Sequence, residues 1–199
     1  MKSCVTLVNP RTDDDINIIS KKLDNINKFL DDDGTLWIMV TDTDDLSGFP
    51  WKLAFELRSR GWYLRQDIIS FVQKYELHHY FFLLSKSYNY FYNNDVIKEE
   101  LSNPNRKNFQ SGSRKNGINY DRNDNDLSQR SKNIVYKNRN KRSVWKIDAN
   151  NLEEEFFELA KFAINAGSNE GDVIVDIFDN WKITQEVATS LGREFRRIE

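Results

Sequence analysis

The chain has 199 residues, 39% of them hydrophobic, with 5 Trp, 8 Tyr and 13 Phe, enough for one compact domain with a substantial core. One cysteine (Cys4) and two histidines (His78 and His79) exclude an internal disulfide and a Cys/His zinc cluster, so no metal site is expected. The net charge of −2 conceals an asymmetry: residues 103–142 hold 11 Lys+Arg against three Asp, a segment of +8 that leaves −10 elsewhere.

Apolar runs fall far short of the roughly 18 residues that a membrane span needs. The acidic start does not read as a signal peptide, so a cytoplasmic protein without membrane contact is expected. Cys4 to Val8 is a short β-branched run stopped at Asn9-Pro10, the profile of a buried strand ending in a turn. Ile16, Ile19, Leu23, Ile26, Phe29 and Leu30 recur at gaps of three and four, one face of a helix with Asp13 to Asp15 at its positive end. Asp33-Gly34 closes it, and Thr35 to Val40 is a second buried strand. Strand, helix and strand in that order imply a parallel crossover.

Phe49 to Arg60 reads as a helix with Pro50 in its first turn and Gly61 at its end. Trp62 to Phe71 and Leu77 to Ser85 follow as strands, placing His78 and His79 on opposite faces. Trp37, Trp51, Trp62 and Trp145 are expected in the core. Phe81, Phe82, Tyr88, Tyr90, Phe91 and Tyr92 are candidates for an apolar edge. Asp42, Asp44 and Asp45 suit an acidic turn better than a cation site. Residues 103–142 lose all periodicity and are expected to be a flexible or disordered insertion. Arg106, Lys107, Arg114, Lys115, Arg130, Lys132, Lys137, Arg139, Lys141 and Arg142 in this stretch are candidate nucleic-acid contacts. Order resumes at Ser143-Val144-Trp145. A helix runs from Leu152 to near Gly167, a strand over Asp172 to Asp176, a helix over Ile183 to Leu191 and a strand over Glu194 to Ile198.

The ordered set Asp33-Gly34-Thr35-Leu36-Trp37-Ile38, Gly48-Phe49-Pro50-Trp51-Lys52-Leu53-Ala54-Phe55, Gly61-Trp62-Tyr63-Leu64-Arg65-Gln66-Asp67-Ile68-Ile69, Phe81-Phe82-Leu83-Leu84-Ser85-Lys86-Ser87, Arg142-Ser143-Val144-Trp145-Lys146-Ile147, and Ala166-Gly167-Ser168 before Gly171-Asp172-Val173-Ile174-Val175-Asp176 resembles one family. It is the permuted (beta-type) group of DNA methyltransferases that act on an exocyclic amino group, adenine N6 or cytosine N4. The resemblance implies an α/β fold with a mostly parallel, doubly wound, Rossmann-like methyltransferase sheet, here trimmed at both ends. Residues 1–102 then form the catalytic half, 103–142 the basic insertion and 143–199 the cofactor half of the same domain.

Two motifs carry that family's chemistry. A polar residue followed by Pro-Pro and an aromatic ends a strand, accepts hydrogen bonds from the target amine and stacks on the flipped base. The matching residues are Asn9-Pro10-Arg11-Thr12, in which Asn9 and Pro10 keep the acceptors while the second proline and the ring are gone. A turn Asp-Pro-Phe-x-Gly-x-Gly cradles S-adenosylmethionine; here it reads Asp176-Ile177-Phe178-Asp179-Asn180-Trp181-Lys182, with both glycines replaced. Glu199 falls where the family places a carboxylate on the cofactor ribose. The expectation is a catalytically inactive relative with no bound cofactor. It would bind DNA, or pair with a methyltransferase or restriction partner or with itself. The alternative is an active enzyme that uses S-adenosylmethionine, with Asn9 and Pro10 orienting the amine.

Overall fold

A computed structural model describes residues 3–8, 15–100, 138–178 and 181–198. In chain order these form β1 (Ser3–Val8), α1 (Ile16–Ile26), β2 (Leu30–Val40), α2 (Phe49–Ser59), β3 (Tyr63–Val72) and β4 (Leu77–Ser85). A 3-10 turn (Asn94–Ile97), β5 (Glu99–Glu100), β6 (Asn138–Arg139), β7 (Val144–Ile147), α3 (Leu152–Gly167), β8 (Val173–Asp176), α4 (Trp181–Ser190) and β9 (Glu194–Arg197) follow. The chain makes two compact units, one of Met1–Ile97 with Lys141–Glu199 and one of Lys98–Asn140. In the second, β5 and β6 pair antiparallel and Arg139 meets Glu99 at 2.7 Å. Residues 103–137 of the basic stretch lie outside the described residues. Among the described residues, no helix is long and apolar enough to cross a membrane.

The first unit is built on a seven-stranded sheet in the order β7-β3-β4-β2-β1-β8-β9. All neighbours are parallel except at β4, which runs against both β2 and β3. The pairing of β2 through β4 to β3 is therefore a departure from a uniformly parallel sheet, forced by the four-residue turn that returns β3 directly into β4. Alternate residues of each strand feed two cores. Leu36, Ile38, Val40, Phe82 and Leu84 face α1 and α2. Trp37, Met39, Phe81, Leu83, Ile68 and Trp145 face α3 and α4. Helices on both faces make the doubly wound architecture.

Three expectations change. The first helix stops at Ile26, and Leu30 already belongs to β2, because turn bonds from Lys28 and Phe29 to Asn25 and Ile26 end it early. Between the pairs Ser3↔Leu30 and Val5↔Thr35 the register slips, so Asp31 to Gly34 bulge from β2; Lys86 secures the bulge through the Leu30 carbonyl (2.8 Å) and Asp32 (3.3 Å). Phe81 and Phe82 form no edge: β4 is an inner strand and both are fully buried, while Tyr88 is exposed. Trp37, Trp62 and Trp145 are core residues as expected, but Trp51 lies half-buried on the flank of α2.

The histidines do separate by face: His78 is exposed and His79 buried. His79 Nδ1 meets both oxygens of the buried Glu155 carboxylate (2.8 and 2.9 Å), and Ser70 Oγ donates to the same group. Ser70 and His79 are cross-strand partners on β3 and β4, and Glu155 sits in the first turn of α3. The cluster thus pins α3 to the sheet. Removing one member of such a buried polar set leaves the others without partners, at a cost of about 3–5 kcal/mol. Urea denaturation of Glu155→Ala should show a loss of this size, and a loss below about 1 kcal/mol would mean that the cluster is peripheral.

Candidate functional site

Strands β1 and β8 lie side by side and parallel, with Val5 opposite Ile174 and Thr6 opposite Val175. From β1 the chain crosses to β2 through α1 on one face of the sheet; from β8 it crosses to β9 through α4 on the other. Such a reversal opens a crevice beyond the carboxyl ends of the two strands, the usual ligand position in open α/β sheets. The two sequence motifs follow these two strand ends. Asn9 and Pro10, just after β1, lie outside the described residues, as do Glu199 and the middle of the second turn, Asp179 and Asn180.

At the end of β8, Asp176 is buried and both of its oxygens are committed inward. Thr184 Oγ1 donates to one at 2.6 Å, and the Phe178 amide donates to the other at 2.8 Å. Burial pushes the Asp176 carboxyl up to about 7, against the pull of those two donors, the Ile177 amide and the Arg197 charge. Phe178 is only 8% exposed and belongs to the core beneath α1 and α2, with Lys22 Nζ of α1 5.4 Å from its ring centre. Trp181 and Lys182 form the first turn of α4, two residues earlier than the sequence periodicity indicates. The Trp181 indole stacks on Phe195 of β9 at 6.3 Å, and Arg197 lies 5.0 Å above the same indole. Lys182 Nζ is 5.8 Å from it.

The described part of this turn is a packed helix start, not a glycine cradle. Two glycines would leave a hollow in which a nucleoside could approach the backbone. Here Trp181 and Lys182 already belong to the helix, and both Asp176 oxygens accept hydrogen bonds from within the fold. Sequence reasoning found Asp176 and Phe178 but missed Thr184, Phe195 and Arg197. The only available signal was a Thr at the right position of the following helix.

Beside the crevice, at the end of β2, Asp42 accepts from the amides of Thr43 (2.9 Å), Gly48 (3.0 Å) and Phe49 (3.0 Å) and so caps the start of α2. Burial opposes its ionisation, but these donors and Ser47 hold its carboxyl below the usual range. The acidic turn is a cap, and no metal-binding cluster occurs among the described residues. Of the basic candidates, Arg139 is paired with Glu99, and Lys141 lies 3.8 Å from the ring centre of Phe162 and 4.8 Å from that of Trp145. Arg142 is exposed and gives its carbonyl to Trp145 Nε1. Arg106, Lys107, Arg114, Lys115, Arg130, Lys132 and Lys137 lie outside the described residues.

The family model described as DNA methylase, of the N6/N4 type, matches residues 12–199. The Type II methyltransferase M.SmaI of Serratia marcescens is 27% identical over 222 residues, covering 88% of this chain and 66% of that protein. M.Cfr9I of Citrobacter freundii is 25% identical over 219 residues, covering 86% and 62%. The chain therefore spans just under two thirds of the length of these curated relatives. Among solved structures, the cytosine-N4-specific PvuII DNA methyltransferase superposes with a TM-score of 0.66 at 12% identity, over all of this chain and 75% of that one. The M1.HpyAVI–SAM complex superposes at 0.57 with 12% identity, over 100% and 83%. Both share the α/β fold.

The raised Asp176 carboxyl has a measurable consequence. An unfolded Asp titrates near 3.9, so between about pH 4 and pH 7 the folded chain holds a proton that the unfolded chain has lost. Stability at this site is fully present below about pH 4 and falls as the pH rises to about 7. Asp176→Asn keeps an acceptor for Phe178 and removes the titration. Its stability relative to the unsubstituted protein should rise between pH 5 and pH 8 in parallel urea titrations. Parallel pH profiles would mean that Asp176 is not buried in this way.

Proposed function

The chain belongs to the N6/N4 DNA methylase family, and on that footing we propose that it binds DNA without transferring a methyl group. The observation that carries this reading is the start of α4. Trp181, stacked on Phe195 with Arg197 5.0 Å from its ring centre, and Asp176, hydrogen-bonded to Thr184 and the Phe178 amide, support a turn that is closed to a cofactor. The other motif agrees, since Arg11 and Thr12 replace the second proline and the stacking ring. The two departures affect cofactor binding and base capture separately, so neither compensates the other.

What supports DNA as the partner is charge. The stretch 103–142 carries +8. Arg106, Lys107, Arg114, Lys115, Arg130, Lys132 and Lys137 are the residues proposed to neutralise phosphates, with Arg142 beside them. Arg139 and Lys141 already have partners and contribute less. Binding of this kind is salt-sensitive and weakly specific, because counterion release is its main driving force.

The second reading, an active enzyme, is favoured by the relatives, which are named as methyltransferases. In it Asn9 and the Pro10 carbonyl orient an exocyclic amine and S-adenosylmethionine supplies the methyl group.

Two measurements separate the readings. Calorimetry should show no saturable heat with millimolar S-adenosylmethionine, and duplex DNA should gain no labelled methyl. Micromolar cofactor binding or methyl incorporation would establish the second reading instead. Duplex affinity should fall steeply with salt, by about 0.9 in log K per log unit of salt for each neutralised phosphate, and deletion of residues 103–137 should flatten that slope. An unchanged slope would remove the basic stretch from the account.

A further inference from the structure

The two faces of the sheet are not equally covered. Under α3 the far end of the sheet is closed: Ile68, Ser70 and Val72 of β3, His79 and Phe81 of β4, and Trp145 and Ile147 of β7 are all buried. Among the described residues, the opposite face is covered by α1 and α2 only as far as β4. Beyond that, Ile69 lies between its pair partners Tyr80 and Val144, and Phe71 lies between His78 and Lys146. Pair partners share a face, so these six side chains form one surface. Ile69, Phe71 and Tyr80 are half-buried, Val144 is 57% exposed, and His78 and Lys146 are exposed.

The flank of α2 makes the second wall. Phe55, 55% exposed, lies 5.9 Å from Trp51 by ring centres; Trp51 lies 6.0 Å edge-on from Tyr80, and Tyr80 5.8 Å edge-on from His78. At the start of β3 a recess of about 560 Å3 is lined by Arg58, Gly61, Trp62, Tyr63 and Leu64. Arg58, one turn after Phe55 on α2, and Lys146, the pair partner of Phe71, thus flank the aromatic surface, and among the described residues neither has an acidic partner. Asp67 is the one acid on this face of β3.

The geometry points to a binding groove for a single nucleic-acid strand, bases against Phe55, Tyr80 and His78, and phosphates against Arg58 and Lys146. Three features select this occupant. The wall is aromatic more than aliphatic, and a ring accepts any base by stacking, whereas an apolar helix would be held by aliphatic ridges. The rings run in a chain with centres about 6 Å apart, a ladder that an extended strand can follow. The flanking cations oppose a second copy of this chain, because a two-fold axis across the groove would set Arg58 against its partner's Lys146. The groove lies on the side of the sheet, away from the crevice between β1 and β8, and does not depend on the fate of the methyl-transfer site.

The test uses the full chain and a fluorescein-labelled oligodeoxythymidine of about a dozen nucleotides, long enough for one such groove, with a duplex of equal length as control. Anisotropy should report single-strand binding that Phe55→Ala or His78→Ala weakens at least about fivefold, the low end of one base–ring stack. Lys146→Glu should weaken it and reduce its salt slope. Duplex affinity should be indifferent to the three substitutions. All three residues are exposed, so the fold should survive, as circular dichroism can verify. The inference fails if no single-strand binding is seen or if all three variants bind like the unsubstituted protein. It also fails if sedimentation shows a dimer that Phe55→Ala dissociates. Loss of duplex binding alone bears on the proposed function and not on this groove.

Discussion

A carboxylate that has turned away from water organises this site. Asp176 ends the strand from which a nucleotide-binding turn would spring, yet its oxygens are spent on Thr184 and on the Phe178 amide. A buried carboxylate tolerates such a position only with its donors in place. The Thr184 bond fixes the first turns of α4 against β8, and the fixed helix start holds Trp181 where Phe195 and Arg197 close over it. Phe178, drawn beneath α1, completes the inward collapse on the other side of the sheet.

The larger frame for this is intact. Two crossovers leave adjacent parallel strands toward opposite faces in a seven-stranded order with an antiparallel β4, and the α/β fold is that of the structurally similar methyltransferases. Packing of the two cores keeps that frame whatever happens at the strand ends, because the buried residues lie between the helices and the sheet and not in the crevice. A family fold can therefore persist while the turns that carry its chemistry change. The face of β3 and β7 that no described helix covers shows the same independence, since it lies beyond α2 and away from the crevice.

Much of this was legible in the sequence. Apolar periodicity located nearly every helix and strand, and alternation along β4 separated His78 from His79 correctly. What it could not supply were relations formed only after the chain returns on itself. The Asp31 to Gly34 bulge is invisible because it is defined by the register of β1 against β2. The parallel pairing of β7 with β3 joins residues 75 positions apart, as in Ile69↔Val144. The stack of Trp181 on Phe195 and Arg197 needs α4 to be folded before the rings can meet. The motif at Asp176 was recognisable because it is local, and the loss of its two glycines was readable at once. The contacts that Trp181 makes with Phe195 and Arg197 were not.

The most direct measurement is the carboxyl carbon NMR titration of Asp176 in the folded protein. A midpoint near 7 is the result of a carboxyl pushed up by burial against the pull of the Thr184 and Phe178 donors. A midpoint near the ordinary aspartate value of about 3.9 would mean that water reaches Asp176 and that the carboxyl is not buried between β8 and α4.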